Sequence, residues 1–430
     1  MTSTTPGPAD AGTDHSPARR SLVRHADFRR LWAGDALGQL GSQLTMLALP
    51  VLAVQHLGAD AWQMGLLSAA ETAAFLVIGL PAGAWVDRMS KRQVLIRADL
   101  VRALVLTVLV ATALAGQASM PLLYVLAIVL SAATVFFDVA HQSYVPGLVG
   151  LEHVVEGNAK LQATQSVAGV VVPAIGGAML RVVTAPALIA VNVVLYVVSA
   201  LTVARIRASE EVRPRDEHPP LRAAIAEGLG FVVRHPLLRR IVACTSVGNL
   251  FATAGQALVV LFVLRELGLD VATLGVVYSA SAVGGLVGAV LAERIARVVG
   301  EGRVIALTAV AMAPALALIP LSLPLAGWGV PPVPVLVLGG ALVSLNVVVY
   351  NVAQVSYRQR VCPPELLGRM NASVRFLVWG SMPLGGLLGG VLGTHLGVVP
   401  TLWVAAAGQI LAALPVLASP IARMRTLPAT

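Results

Sequence analysis

The sequence predicts an all-α membrane protein with twelve transmembrane helices in two pseudo-symmetric six-helix bundles. The chain has 430 residues, of which 57% are hydrophobic and 12% charged, and its mean hydropathy is +0.82. A water-soluble fold of this size could not bury so much apolar surface. Apolar runs of about 20 residues recur along the chain, and each could cross roughly 30 Å of hydrocarbon. Because backbone groups in lipid must bond within their own segment, we expect helices.

Short Arg-rich or Gly/Pro-rich breaks separate these runs and place the helices in order. The longest break contains Pro219 and Pro220 and divides six runs from six. We predict a disordered tail at 1–20, an N-terminal bundle at 21–205, a cytoplasmic linker at 206–236, a C-terminal bundle at 237–420 and a cytoplasmic tail at 421–430. The predicted spans are 31–56, 62–85, 94–115, 121–143, 160–182, 186–205, 238–264, 272–292, 303–325, 333–357, 371–394 and 398–419.

Basic residues fall almost entirely on one side of these spans. If the N-terminus is cytoplasmic, the outer loops carry only Arg181 and Arg265 at their edges. This asymmetry predicts a bacterial-type inner-membrane protein with both termini in the cytoplasm. The first 20 residues have no hydrophobic core, so we do not expect a cleaved signal peptide.

Composition and motifs argue against several other classes of protein. The net charge is +9, but the arginines lie in short loops without interleaved aromatic residues, so no nucleic-acid partner is expected. Cys244 and Cys362 offer neither a disulfide framework nor a metal site. The sequence has no Walker loop, H-E-x-x-H or dinucleotide motif, so we expect no enzyme and no cofactor. The histidines are scattered, and His56, His141 and His395 are expected near helix ends.

The two halves of the chain match each other in register. A shift of 210 residues aligns Gly38 with Gly248 and Asp60 with Asp270. A shift of 213 aligns Tyr144 with Tyr357. Two parallel six-helix repeats predict a substrate path between the halves.

A basic loop follows the second predicted span and resembles the major facilitator signature G-x-x-x-D-R-x-G-R-R, with Ser90 in place of the inner glycine. We expect Gly83 to allow close helix approach, and Asp87 to accept bonds from the N-terminus of helix eleven near Asn371. The basic side chains would reach carboxylates on adjacent helices and act as a cytoplasmic gate. The alternative is a loop that only sets topology. The basic residues are Arg88, Lys91 and Arg92.

Charged residues inside the third and fourth spans are expected to pair, because an unpaired ion in the bilayer costs on the order of 3 kcal/mol or more. Asp99 and Arg102 have i,i+3 spacing, and Asp138 could pair with Arg88 or Arg92. We expect these groups to form part of the same gate. Direct contact with a substrate is the alternative.

Two carboxyl groups are candidates for proton coupling. Glu71 lies about nine residues into the second span, near the bilayer midplane by helical rise. Asp35 lies about one turn from the interface on the first span. A carboxyl in apolar surroundings can exchange a proton as a cavity alternates between compartments. The alternative is a permanently protonated carboxyl that holds two helices together.

Polar residues recur every four positions on the first span, at Asp35, Gln39 and Gln43, and predict the lining of an aqueous cavity. Buried hydrogen bonds between helices are the competing explanation. The corresponding polar residues of the second half are Asn249 and Thr253 on the seventh span and Asn346 and Tyr350 on the tenth.

The fifth span contains Pro173, Gly176 and Gly177, which predict a bend and close packing at a pivot. This run resembles the G-P-x-x-G-G end of an antiporter signature, with Val172 in place of the first glycine.

Residues 28–32, 79–92 and 99–102 together resemble the drug and proton antiporter branch of the major facilitators, which includes macrolide and enterobactin exporters. The resemblance implies the major facilitator fold, a monomer, and proton-driven efflux of hydrophobic or amphipathic small molecules. Export of an endogenous siderophore, lysophospholipid or secondary metabolite is the alternative within transport. A membrane receptor or scaffold is the alternative outside it.

Overall fold

The structure is a computed structural model that describes residues 22–150, 153–208, 210, 221–363 and 366–427. The predicted disordered tail at 1–20 lies outside these residues. The described chain is helical and contains no strand. Its helices are α1 Ala26–Gln55, α2 Ala61–Val77, α3 Gly79–Asp87, α4 Lys91–Leu114, α5 Met120–Val149, α6 Val154–Met179, α7 Ala185–Ala204, α8 Leu221–Arg234, α9 Leu238–Leu261, α10 Val271–Val299, α11 Glu301–Gly327, α12 Pro332–Val361, α13 Leu367–Trp379, α14 Ser381–Leu396 and α15 Val398–Leu417.

Each of the twelve predicted spans corresponds to one helix or to a consecutive pair. The second span is broken at Ile78 into α2 and α3, and the eleventh is broken at Gly380 into α13 and α14. Within the described residues, nine spans are long and apolar enough to cross a membrane by length and composition alone. Most helices extend past the predicted ends, as α5 does by reaching Val149, because hydropathy detects only the part of a helix that lies in hydrocarbon.

The linker contains a helix, α8, for which the sequence analysis predicted no element. α8 packs against α13 of the C-terminal half. Glu227 of α8 pairs with Arg369 of α13, and a Cβ at Gly228 would overlap the backbone of Arg369. The close backbone approach fixes α8 onto the end of the eleventh span.

Alternation of the spans gives the bundle two ends, which we call the terminal face and the distal face. The terminal face carries the described chain ends and the turns at 88–90 and 300, and the distal face carries the turns at 115–119 and 328–331. The last described segment packs on the terminal face, where Ile421 is buried and the Arg425 carbonyl accepts from the Glu301 amide at 2.8 Å.

The two halves meet along two helix pairs, α2 with α14 and α6 with α10. Glycines line both contacts, which we call the glycine seams. A Cβ at Gly65 would overlap the backbone of Gly390, and a Cβ at Gly275 would lie 2.8 Å from the Cα of Gly177. Helices in lipid associate through such close backbone packing, since burial from water does not drive them together.

The apolar core is shared between the halves only toward the distal face. There, Leu47 and Leu52 of α1 belong to the same buried cluster as Leu258 of α9 and Leu274 of α10. Toward the terminal face each half has its own cluster, around Phe28 in the first half and around Tyr357 and Ile305 in the second. The shared apolar core therefore marks a bundle closed at its distal face. Contact between the halves near the terminal face involves mainly α13.

The glycine seams predict a difference between two identical substitutions. Gly65→Ala would place a methyl group on the backbone of Gly390, whereas a Cβ at Gly38 would meet no described atom within 4 Å. We expect Gly65→Ala to destabilise the purified protein by about 1–3 kcal/mol, as overpacking does. Gly38→Ala should be neutral or stabilise it by up to about 1 kcal/mol. Thermal unfolding midpoints of the two variants in detergent measure both effects. Equal midpoints would contradict the close packing of Gly65 at the seam.

Candidate functional site

Glu71 projects into the interior between the halves. It follows Trp62, which is 41% exposed, by nine residues, or two and a half turns, so the two side chains lie on opposite sides of α2. Among the described residues, no group forms a hydrogen bond or ion pair with the Glu71 carboxyl. The carboxyl therefore lies inside the bundle without a partner of opposite charge.

Asp35 lies in a buried polar cluster of the N-terminal half. One of its carboxyl oxygens is 3.4 Å from Nε2 of His141 on α5. The His141 ring stacks on Phe137 at 5.8 Å, and the Arg102 guanidinium lies 4.4 Å from the centre of the Phe137 ring. The expectation that His141 lies near a helix end was wrong, because α5 continues eight residues beyond it to Val149.

Asp99 and Arg102 form the pair that their spacing predicts, with Arg102 Nη1 donating to Asp99 at 3.1 Å. The Ser199 hydroxyl of α7 lies 2.6 Å from the same carboxylate and 2.9 Å from the Gly34 carbonyl of α1. All four residues belong to the N-terminal half, so the pair ties together helices of one bundle. A gate would connect the two halves, but among the described residues this pair contacts only the N-terminal half.

Asp138 does connect the halves. Its carboxylate accepts from Arg375 of α13 at 3.0 Å, and the Arg375 guanidinium lies 4.2 Å from the centre of the Trp379 ring. The predicted pairing of Asp138 with Arg88 or Arg92 was wrong, because Arg375 of α13, in the other half, is the cation that reaches this carboxylate.

The basic loop is anchored within the N-terminal half. The Lys91 amide donates to Glu210 at 2.7 Å, and Arg92 donates to the carbonyl groups of Val203 and Ala204 at the end of α7. The Arg88 side chain is half-buried, and its Nε atom has no partner among the described residues.

The departure from the signature at Ser90 has a structural reason. Ser90 caps α4 by accepting from the Gln93 amide at 3.4 Å and donates to Glu210 at 2.8 Å. The expectation that Gly83 allows close helix approach was wrong, since a Cβ there would meet no described atom within 4 Å. The close helix approach on the second span is at Gly65, which lies against the backbone of Gly390. The Asp87 side chain lies outside the described part of the structure.

The C-terminal half contains a cavity of about 120 Å³ between α9, α11, α12 and α15. Among the residues that the structure describes, no charged one lines it. The Tyr350 hydroxyl lies 2.8 Å from the Thr245 hydroxyl at its wall. Six of the lining residues are Thr245, Asn249, Met312, Tyr350, Asn351 and Gln409.

Only two of the predicted lining residues, Asn249 and Tyr350, border this cavity. Asn346 instead donates to the Leu342 carbonyl of its own helix at 2.9 Å. Thr253 packs against Gly385 of α14. In the other half, Gln43 lies beside Gly169 of α6, and Gln39 is half-buried on α1; both stand outside the cavity.

The predicted pivot residues of the fifth span lie at or near the seam between α6 and α10. The Pro173 carbonyl oxygen faces Gly275, and a Cβ at Gly177 would lie 2.9 Å from the Gly275 Cα. Gly176 faces the other way, toward Leu44 and Leu47 of α1. Whether the seam acts as a pivot stays a prediction.

An ion pair links the halves at the distal face, which we call the distal latch. Arg181 donates through Nε and Nη2 to one oxygen of Asp270, at 3.0 and 2.7 Å. Asp270 also caps α10, where it accepts from the Thr273 amide at 2.9 Å. Hydrogen bonds from Thr273 and then from Arg181 lower the pKa of Asp270 to about 2.

Comparisons with known proteins place these features in context. A family model described as "Transmembrane secretion effector" matches residues 18–428. Macrolide efflux protein A of Streptococcus pyogenes is 24% identical over 378 residues, which cover 86% of this chain and 90% of that protein. The multidrug efflux pump Tap of Mycolicibacterium fortuitum is 27% identical over 377 residues, covering 84% of this chain and 88% of Tap.

Solved structures share the fold at low sequence identity. A bacterial homologue of the iron transporter ferroportin in an inward-facing state has a TM-score of 0.73 at 16% identity, covering 93% of this chain and 99% of that one. The nucleoside transporter NupG has a TM-score of 0.73 at 11% identity, covering 91% of this chain and 98% of that one.

The distal latch predicts a small, specific effect on opening of the distal face. Arg181→Gln or Asp270→Asn should raise the open fraction about 1.4- to 5-fold, as expected for an exposed ion pair worth about 0.2–1 kcal/mol. The double variant should match either single variant, because each removes the same pair. Spin labels at positions 117 and 328 measure the opening in a Cys244→Ser, Cys362→Ser background.

The latch also predicts how opening depends on pH. Since the pKa of Asp270 is lowered, the pair is complete above the unperturbed value of 3.8 and is lost only as pH falls toward about 2. Its contribution should therefore be constant between about pH 5 and 8.

For the substitutions of the distal latch, Asp60→Asn, at the equivalent cap of α2, is the control. Additive effects of the two single substitutions, or an equal effect of the control, would rule out the latch.

Proposed function

Because the chain belongs to the transmembrane secretion effector family of major facilitators, we propose that it exports hydrophobic or amphipathic small molecules by proton-coupled alternating access. The major facilitator fold, the efflux class and the expectation of a transporter instead of an enzyme are confirmed by the family match and the efflux relatives. The substrate, the proton coupling and the roles of individual residues are our proposals.

The single observation that carries alternating access is the unequal closure of the two faces. The distal ends of the halves share one apolar core and one ion pair, whereas their terminal ends have separate cores. Rocking about the glycine seams would separate the distal ends and bring the terminal ends together. Positive charge on the terminal face supports a cytoplasmic location for that face and an inner-membrane protein, which we propose acts as a monomer.

We assign proton coupling first to Glu71. An unpaired charge inside the bilayer costs on the order of 3 kcal/mol or more. The Glu71 carboxyl is therefore expected to be protonated and neutral while it faces the interior. When the bundle rocks and water reaches it, the proton can leave. Asp35 is a weaker candidate, because His141 lies 3.4 Å from it and the pair is sealed within one half.

We assign the terminal gate to Asp138 and Arg375, the ion pair that joins the halves on that side. Both side chains are partly exposed, so substrate or water can reach them. Lys91, Arg92 and Glu210 hold the adjoining loop in place. The Asp138–Arg375 pair is formed in this structure, so in this proposal the terminal face opens fully only when that pair breaks, and Asp99 with Arg102 keeps the N-terminal half rigid.

The experiment measures accumulation of radiolabelled erythromycin and of ethidium in an efflux-deficient bacterial host, with and without a protonophore. Wild type should lower accumulation, and the protonophore should abolish that effect. Glu71→Gln should abolish it too, because an amide cannot release a proton. Glu293→Gln is the matched control, since the Glu293 side chain is 86% exposed and its one ion pair within the described residues is with Arg297 of its own helix.

Each result has a defined meaning. Export by Glu71→Gln that equals wild type and still responds to the protonophore would remove Glu71 from the mechanism. Export that ignores the protonophore would contradict proton coupling. If neither probe responds, efflux of such compounds is contradicted, and export of a dedicated endogenous metabolite becomes the better account.

A further inference from the structure

The cavity of the C-terminal half occupies a position that the N-terminal half fills with an ion pair. With a shift of 210, Arg102 and Asp99 of α4 correspond to Met312 and Ala309 of α11. With a shift of 213, Phe137, on which Arg102 lies, corresponds to Tyr350. Met312, Ala309 and Tyr350 all line the cavity. Loss of the ion pair from the second repeat therefore leaves space in its place.

The mouth of this cavity opens toward the interior between the halves. Val347 and Asn351 of α12 are exposed. Each follows an exposed leucine, Leu338 or Leu342, by nine residues, so it projects from the opposite side of the helix. Val347 and Asn351 also line the cavity, so the cavity is open on this side of α12.

The polar groups of the wall can recognise a neutral ligand. Asn249 and Gln409 donate their amide hydrogens to the carbonyl groups of Val378 and Gly248, which leaves their side-chain oxygens as acceptors. The Asn351 oxygen accepts from Gln354 at 3.2 Å, which leaves its amide as a donor. No charged side chain among the described residues lines the wall to compensate a ligand charge.

We propose that this cavity binds the uncharged, ring-sized part of an amphipathic substrate. Its volume of about 120 Å³ is close to the roughly 150 Å³ of an engineered cavity that takes up benzene. The proposal rests on the proposed export function for the identity of the ligand as a substrate, but the site itself can be tested without transport.

The test uses a native thiol of the cavity wall. Cys362→Ser leaves Cys244, which lines the cavity, as the single thiol of the chain. The variant is reconstituted in liposomes, and the rate at which N-ethylmaleimide alkylates Cys244 is followed by intact-protein mass spectrometry. Benzyl alcohol and benzylammonium are the competing probes, which have similar size and differ in charge.

We expect benzyl alcohol, at several times its dissociation constant, to slow alkylation at least about fivefold, because only the unoccupied protein reacts. Benzylammonium should slow it less than about twofold, since burial of a charge opposes binding. Ala309→Phe fills the cavity and should remove the protection by benzyl alcohol. Val310→Phe is the matched control, because Val310 is exposed on the outer side of the same helix.

Thermal melting and gel filtration establish whether each variant is folded. If Ala309→Phe does not fold, Thr245→Val removes the hydroxyl that bonds Tyr350 without changing side-chain size, and should weaken protection severalfold. Absence of protection by benzyl alcohol, or equal protection by benzylammonium, overturns the proposal. Protection without export in cells would leave this site standing and refute the export function, whereas export without protection would do the reverse.

Discussion

Close contact between glycine backbones at two seams is the constraint on which the rest of the structure depends. At Gly65 and Gly390, and at Gly177 and Gly275, helices of different halves meet without intervening side chains. Such surfaces hold the halves together without interdigitating side chains, and the proposed rocking of the halves would take place about them. Ion pairs at either end, Arg181 with Asp270 and Asp138 with Arg375, can then decide which face is closed.

The two six-helix repeats have the same arrangement of helices but differ in the side chains packed between those helices. The N-terminal half is packed by the Asp99–Arg102 pair, which the Ser199 hydroxyl joins to the neighbouring helices. The C-terminal half has neutral residues at these positions and a cavity among them. This difference between the halves suits the proposed cycle, in which a proton and an organic molecule use the same protein.

Much of this architecture could be predicted from the sequence, because hydrophobic length, charge asymmetry and the internal repeat are local properties of the chain. The depth of Glu71 along the second span also follows from helical rise, whereas its inward direction needed the exposure of Trp62 in the structure. The partner of Asp138 could not be predicted, since Arg375 lies 237 residues away and the pairing depends on how the two halves pack together. His141 was misplaced because hydropathy underestimates helix length, and α8 was missed because its packing against α13 sets its position.

The most direct test of alternating access is to lock the distal face closed. Arg181→Cys with Asp270→Cys, in the Cys244→Ser, Cys362→Ser background, is joined by a short reducible bis-methanethiosulfonate, and export is then measured for a compound that the uncross-linked variant exports. The same reagent joins Glu293→Cys and Arg297→Cys within α10 as the control. We predict that only the link between the halves stops export and that reduction restores it. Full export by the locked protein would contradict the account.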